Sequence, residues 1–315
     1  MIIYGGPQGA PPVVDPPRPP VVIGPVFTAP LSWLWKSWTG EDEWELTNPA
    51  SPVVKLKGAT GIGQTDPEHW WADSPTMDGS TWDGMRVGRG QVFLPLMVQG
   101  DDSDDFLAQH ERFMRSLDPR REGVIRVTRH DGRWREAVCR YESGADLVMD
   151  YDPVAGRRAT YGITWAMGDP YWHGEPIEHM FTVDSGAAGL FPGPPFRLAR
   201  DATLSNSKTT NPGDVASYPV WRVNGPFTSF TVGVEGMNLS MTLTKAAGQW
   251  VEIDMNPRKL TVVDEAGTDR WPNLTAAEFE GIPPGVEVDV MTGVSGQGPE
   301  SSVSLKFTPR YRRAW

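Results

Sequence analysis

Cysteine is almost absent: Cys139 is the single thiol in 315 residues. One thiol excludes an intrachain disulfide and a cysteine-built zinc site, and leaves Cys139 the role of a small apolar strand residue. No apolar run approaches the roughly 18 residues that a membrane-spanning helix needs. The first residues carry neither the basic region nor the apolar run of a secretory leader. These absences predict a protein made in the cytoplasm and kept there until assembly or release. Positive charge is also scarce, with 29 Lys and Arg against 40 Asp and Glu, a formal net charge of -11. A sequence-independent DNA binder takes most of its affinity from cations that neutralise phosphates, so that class is excluded.

Motifs that carry chemistry are missing too. The histidines His69, His110, His130, His173 and His179 lack the paired His-and-Glu spacing of a metalloprotease helix. His173 and His179 are near neighbours, but read as loop residues. The run Gly58-Ala59-Thr60-Gly61-Ile62-Gly63 has neither the lysine nor the following helix of a phosphate loop. There is no Gly-x-Ser-x-Gly elbow, and Ser143-Gly144 and Ser185-Gly186 read as turns. The acids Asp101, Asp102, Asp104 and Asp105 are explained by helix capping. They lack the alternating oxygen ligands, central Gly and terminal Glu of a calcium loop. The sequence thus nominates no catalytic residue, no cofactor-binding residue and no metal ligand, and the expectation is a protein that is not an enzyme.

What is present is turn-rich and aromatic. The chain has 34 Gly, 30 Pro and 14 Trp, a composition for many short strands and few long helices. Its length predicts two domains. Residues 1–30, with Pro11-Pro12 and Pro16-Pro17-Arg18-Pro19-Pro20, predict an extended polyproline-like arm. Residues 31–174 predict a β domain with one helix. Strands are expected over Ser32–Trp38, Glu43–Thr47, Val53–Lys57 and Gln91–Gln99, where Pro95 argues for an edge or a bulge. The stretch Thr65 to Asp83, with Trp70, Trp71 and Trp82, reads as a long loop whose aromatics pin it to the domain or meet a partner. The helix starts at Asp101–Asp105, carries Phe106, His110, Phe113, Met114 and Leu117 on one face, and stops before Pro119. A hairpin follows about Asp131-Gly132, then an alternating strand through Tyr161, Ile163 and Trp165. Residues 175–315 show only short strands at sandwich-like spacing.

Certain motifs resemble the distal tail proteins of long-tailed bacteriophages. In the first domain these are Gly79-Ser80-Thr81-Trp82-Asp83-Gly84, the strand Val92–Val98, the acid-capped helix, Leu117-Asp118-Pro119, and a hairpin ending in Arg140-Tyr141. In the second they are Asn211-Pro212-Gly213-Asp214, Tyr218-Pro219-Val220-Trp221-Arg222-Val223, Gly225-Pro226, Val251-Glu252-Ile253-Asp254 and Pro283-Pro284-Gly285. The resemblance implies a mainly β fold: a tube-like barrel or sandwich with one α-helix, then a galectin-like antiparallel β-sandwich. It also implies a homohexameric ring at the virion tail tip. That ring would join the tail tube protein to the tail-tip hub, carry fibre or receptor-binding proteins, and let genomic DNA pass without specific binding. No cofactor and no membrane insertion are expected. The rival reading is a carbohydrate-binding sandwich acting in host-surface adhesion, with a paired-carboxylate hydrolase a distant third. Trp134, Trp165, Trp221 and Trp250 sit at strand positions, which favours core over sugar platform.

Overall fold

The computed structural model describes residues 31–147, 151–183, 196–198 and 207–315; the proline-rich arm expected over residues 1–30 lies outside them. The fold is mainly β, as expected. The barrel-forming strands are β1 (Ser32–Lys36), β2 (Glu43–Glu45), β3 (Val53–Lys55), β6 (Gly90–Gln99), β7 (Gly123–Thr128), β8 (Trp134–Ser143) and β9 (Arg158–Met167). Between β3 and β6 stand β4 (Pro67–Asp73) and β5 (Ser80–Val87), which form a separate two-stranded hairpin.

The barrel sheet runs β2-β1-β7-β8-β9-β6-β3, antiparallel throughout. It comes nearly full circle, because the Lys55 amide donates to the Leu46 carbonyl just beyond β2 at 2.7 Å. Alternation decides which face turns in. Val92, Leu94, Leu96 and Val98 of β6, and Tyr161, Ile163, Trp165 and Met167 of β9, are all buried. Each such side chain stabilises the fold by about 1.5–3 kcal/mol relative to exposure. Pro95 does not put β6 at an edge, since β6 lies between β9 and β3. Its carbonyl accepts from Leu56 just past the last residue of β3. The missing amide therefore faces the side where the ladder has ended, which is why an interior strand tolerates it.

Helix α1 (Ser103–Ser116) begins where the acids predict. The Asp102 carboxylate accepts from the Asp105 amide at 2.8 Å, and the Asp105 carboxylate accepts from the Asp101 amide at 2.9 Å. Its apolar face brings Phe106 and Phe113 onto the barrel core, where Phe113 meets Trp44 edge-on with centroids 5.6 Å apart. A second, four-residue helix, α2 (Pro153–Gly156), was not foreseen; Asp152 caps it. The β7–β8 hairpin turns at Gly132, with φ of 81°. Gly144 is required twice over: its φ is 99°, and a Cβ there would lie 1.8 Å from the Gly162 carbonyl oxygen.

After β10 (Trp172–His173), the next strands are β11 (Ile177–Val183), β12 (Phe196–Leu198), β13 (Ser207–Thr210), β14 (Val220–Asn224), β15 (Phe227–Val234) and β16 (Met237–Lys245). The chain goes on with β17 (Trp250–Asp254), β18 (Thr261–Asp264), β19 (Leu274–Ala277), β20 (Glu287–Ser295), β21 (Ser302–Phe307) and β22 (Arg310–Tyr311). Two sheets, β12-β11-β21-β14-β17-β18 and β13-β20-β15-β16-β19, form a sandwich. Its core is separate from that of the barrel and includes Phe181, Trp221, Phe230, Val251, Leu305 and Phe307. At its margin Lys245 is charge-paired with Asp264 and Glu265, both at 2.9 Å, and Arg270 reaches Asp264 at 2.6 Å. Hydrogen bonding to Lys245, assisted by Arg270 and main-chain amides, holds the Asp264 carboxyl far below its ordinary value.

The chain crosses between barrel and sandwich twice. Outbound, β10 pairs with β8 through His173 and Glu136 before β11 begins. Inbound, the chain leaves β21, and β22 pairs with β10 (Trp172 with Tyr311, His173 with Arg310). Tyr311 and Ala314 then pack on the barrel core, and the Ala314 amide donates to Ile62 at 2.9 Å. At the junction Asp169 receives Arg310 at 2.9 Å and His173 at 3.1 Å.

Candidate functional site

The residues weighed for chemistry in the sequence are scattered, and most of those described have a structural occupation. Asp102 and Asp105 close the helix start with main-chain bonds. His69 accepts from the Trp82 indole, while His110 hydrogen-bonds Tyr161, His173 Asp169 and His179 Thr209. Burial pushes the His110 and His179 pKa values down. Among the described residues no group of three or more His, Cys, Asp or Glu is arranged to hold a metal ion. Cys139 is buried in the barrel, and burial pushes its thiol pKa far up, so it is inert as a nucleophile. Thr60 bridges to Phe93, and Ile62 accepts from Ala314, so the Gly58–Gly63 run is a seam between strands and not a phosphate cradle.

The strand tryptophans divide. Trp165 and Trp221 are fully buried. Trp134 and Trp250 are half-buried, and a guanidinium covers each: Arg126 lies 4.1 Å from the Trp134 ring and Arg222 4.1 Å from the Trp250 ring. Neither presents an open ring face of the kind a stacked sugar needs.

The surface that stands out is the β4–β5 hairpin. The sequence suggested a loop whose aromatics pin it to the domain or meet a partner; the structure shows a paired hairpin in place of the loop, with those aromatics outward. Trp70, Trp71 and Trp82 are 49%, 57% and 50% exposed, and Met77 and Met85 are exposed with them. Tight turn residues on either side and the Asp-Gly-rich text hid the strand alternation. Opposite pairs are His69 with Met85 and Trp71 with Trp82, and Asp83 is an extra residue between the partners of Trp70 and Trp71. Such a bulge twists the ribbon and re-aims its side chains. One face therefore gathers His69, Trp71, Trp82 and Met85, while Trp70 lies on the other, over Gly84. The Trp82 indole donates to His69 Nδ1 at 3.1 Å, which fixes the ring plane. The foot of the hairpin, at Pro67, Met85 and Val87, borders Pro170, Tyr171 and Arg312. A two-stranded ribbon with no layer on either face is marginally stable by itself in water. Contiguous exposed apolar surface of this kind marks an interaction site.

Comparison with solved structures places the whole architecture. The Dit (gp 19.1) protein of phage SPP1, described as a paradigm of the hub adsorption apparatus in phages infecting Gram-positive bacteria, matches with a TM-score of 0.59 at 15% identity, over 89% of this chain and 98% of that one. A chain of the phage p2 baseplate, in its activated conformation with Sr, matches with a TM-score of 0.50 at 11% identity, over 88% and 97%. No family model and no curated protein matches the chain. The barrel-then-sandwich architecture expected from the resemblance to distal tail proteins is the one found.

Proposed function

We propose that this chain is a phage distal tail protein, a structural subunit that closes into a ring at the tail tip. In this reading six copies form the ring, which joins the tail tube to the tail-tip hub and carries fibre or receptor-binding proteins. The observation that carries the proposal is the likeness to the SPP1 hub protein across nearly the full length of both chains. A fold alone hosts many functions, so the hairpin is the second support. Its aromatic face is exposed in a single copy and suits a contact between unlike faces of neighbouring subunits, the arrangement that closes rings. We further infer that residues 31–174 act as the ring-forming domain and residues 175–315 as the outward sandwich, with the last residues returning to brace the barrel. The net charge of -11 suits a ring through which DNA slides without sticking.

Two measurements test this reading together. Native mass spectrometry of the purified chain should show a closed oligomer of six copies, and antibody against the chain should label virions at the tail tip in electron micrographs. A chain that is monomeric at every concentration and leaves particles unlabelled would sink the proposal. Retention on immobilised glycans by that monomer would then favour the adhesion module.

A further inference from the structure

The β7–β8 turn, the linker after β10 and the returning carboxyl-terminal segment enclose a cleft of about 210 Å³. Arg129, Arg133, Arg135, Trp134, Glu175 and Tyr311 line it. One carboxylate serves two of the guanidiniums, since Asp131 meets Arg129 at 3.2 Å and Arg133 at 2.7 Å. Arg135 gives its hydrogen bonds to main-chain oxygens of Arg313 and Trp315, at 3.0 and 2.6 Å, and stacks on Tyr311 at 3.5 Å. Burial first, and then the charges of Arg129 and Arg313, hold the Arg135 pKa below its ordinary value in spite of Tyr311 and Asp214. Three guanidiniums line this one cleft with a single carboxylate, Asp131, paired to two of them. A cluster of that kind fits a ligand that brings negative charge.

The complementary charge lies at the other end of the same barrel. Gln99, two residues before the acid run, pairs with Arg158 at the start of β9, whereas β8 meets β9 near its far end, at Ala166, and then runs on to Trp134 beside the arginines. The ladder separating the two clusters is on the order of 40 Å of strand. Asp101, Asp102 and Asp104 are exposed there.

We propose that the arginine cleft receives the carboxylates of a second copy of this chain, those at the start of α1, in a head-to-tail contact. The inference rests on the ring reading above and names one of its contacts. Opposite charges at opposite ends of one body favour a heterologous contact and oppose a two-fold one, which would set like against like. The cleft is narrow and concave, which suits single side chains better than a DNA duplex.

The test is a charge swap within the full chain. Arg129→Glu with Arg133→Glu, and separately Asp101→Lys with Asp104→Lys, should each lower the assembled fraction at least tenfold in sedimentation velocity, with unchanged circular dichroism. The fourfold variant, which restores complementarity with reversed sign, should recover most of the assembly, a result that misfolding cannot produce. Raising salt from 0.1 to about 1 M shortens the Debye length from about 10 to about 3 Å, and should weaken the parent but not Arg129→Gln with Arg133→Gln to the same degree. An assembled parent whose swapped variants behave like it would overturn this contact and leave the ring reading standing. A parent that never assembles would overturn this contact, and with virions unlabelled at the tail tip it would overturn the ring reading too. Duplex DNA held by the parent and lost in the arginine variants, with assembly unchanged, would assign the cleft to phosphates and overturn the proposal.

Discussion

Replacing Trp71 and Trp82 with Ser should uncouple assembly from folding. The two rings are 57% and 50% exposed in the single chain. A Trp side chain offers at most about 250 Å², so roughly 130 Å² remains to be buried at each position. At about 25 cal/mol per Å², full burial against a neighbour stabilises the contact by about 3 kcal/mol per ring, or about 6 kcal/mol for the pair. Association entropy and imperfect packing take back much of this. Losing even a quarter, about 1.4 kcal/mol, raises the dissociation constant tenfold. The expected outcome is a dissociation constant at least tenfold weaker in sedimentation velocity over a concentration series. Neither ring belongs to either core, so the urea midpoint of the barrel should barely move. Trp70→Ser, on the opposite face, should cost assembly less than either Trp71→Ser or Trp82→Ser alone. A double variant that dissociates within twofold of the parent would refute the assignment of this face as a contact.

Three further outcomes follow from the fold. Asp102→Ala removes the helix cap and should lower stability by about 1 kcal/mol, read as a shifted urea midpoint with an unchanged slope. Gly144→Ala forces a side chain into positive φ and onto the Gly162 carbonyl; the strain of about 1–3 kcal/mol or more should appear as a lowered melting temperature, and an unchanged one would refute the close approach. Burial pushes the Asp169 carboxyl up, but His173 and Arg310 outweigh it and bring its pKa down from 3.8 to about 2. Because the folded pKa lies below the unfolded one, this stabilisation is present above about pH 4 and is lost as pH falls toward about 2. Asp169→Asn should therefore be less stable at neutral pH and show a shallower acid limb in urea titrations, whereas parallel acid limbs would show that the junction pairing contributes nothing.

The sequence was most readable where one local rule decided the outcome. Strict alternation put Tyr161, Ile163 and Trp165 on one strand face, and the acids at Asp101–Asp105 announced the helix because a capping carboxylate acts within one turn. The Asp131-Gly132 turn was equally plain, yet nothing in it showed that Arg129, Arg133 and Arg135 would share a cleft with Tyr311, since that meeting spans the whole chain. The β4–β5 hairpin escaped notice for a different reason: with both faces exposed, it carries no inside-outside alternation to read. Strands β13 and β19 are four-residue strands at sheet edges, and the two-residue β22 is set by long-range partners, β10 and Val215. Pro95 misled because its effect depends on where the neighbouring strand ends.

The double passage of the chain between barrel and sandwich has a mechanical consequence. A body held by a single strand can swivel about it, whereas one held by two neighbouring strands that are hydrogen-bonded to each other resists that twist. Here the second joint is the β22–β10 ladder, reinforced by Arg310 on Asp169 at 2.9 Å. Twisting the sandwich against the barrel therefore has to disturb the β22–β10 ladder and the Arg310–Asp169 pair together, so the joint between the two bodies is stiffer than one connecting strand would make it.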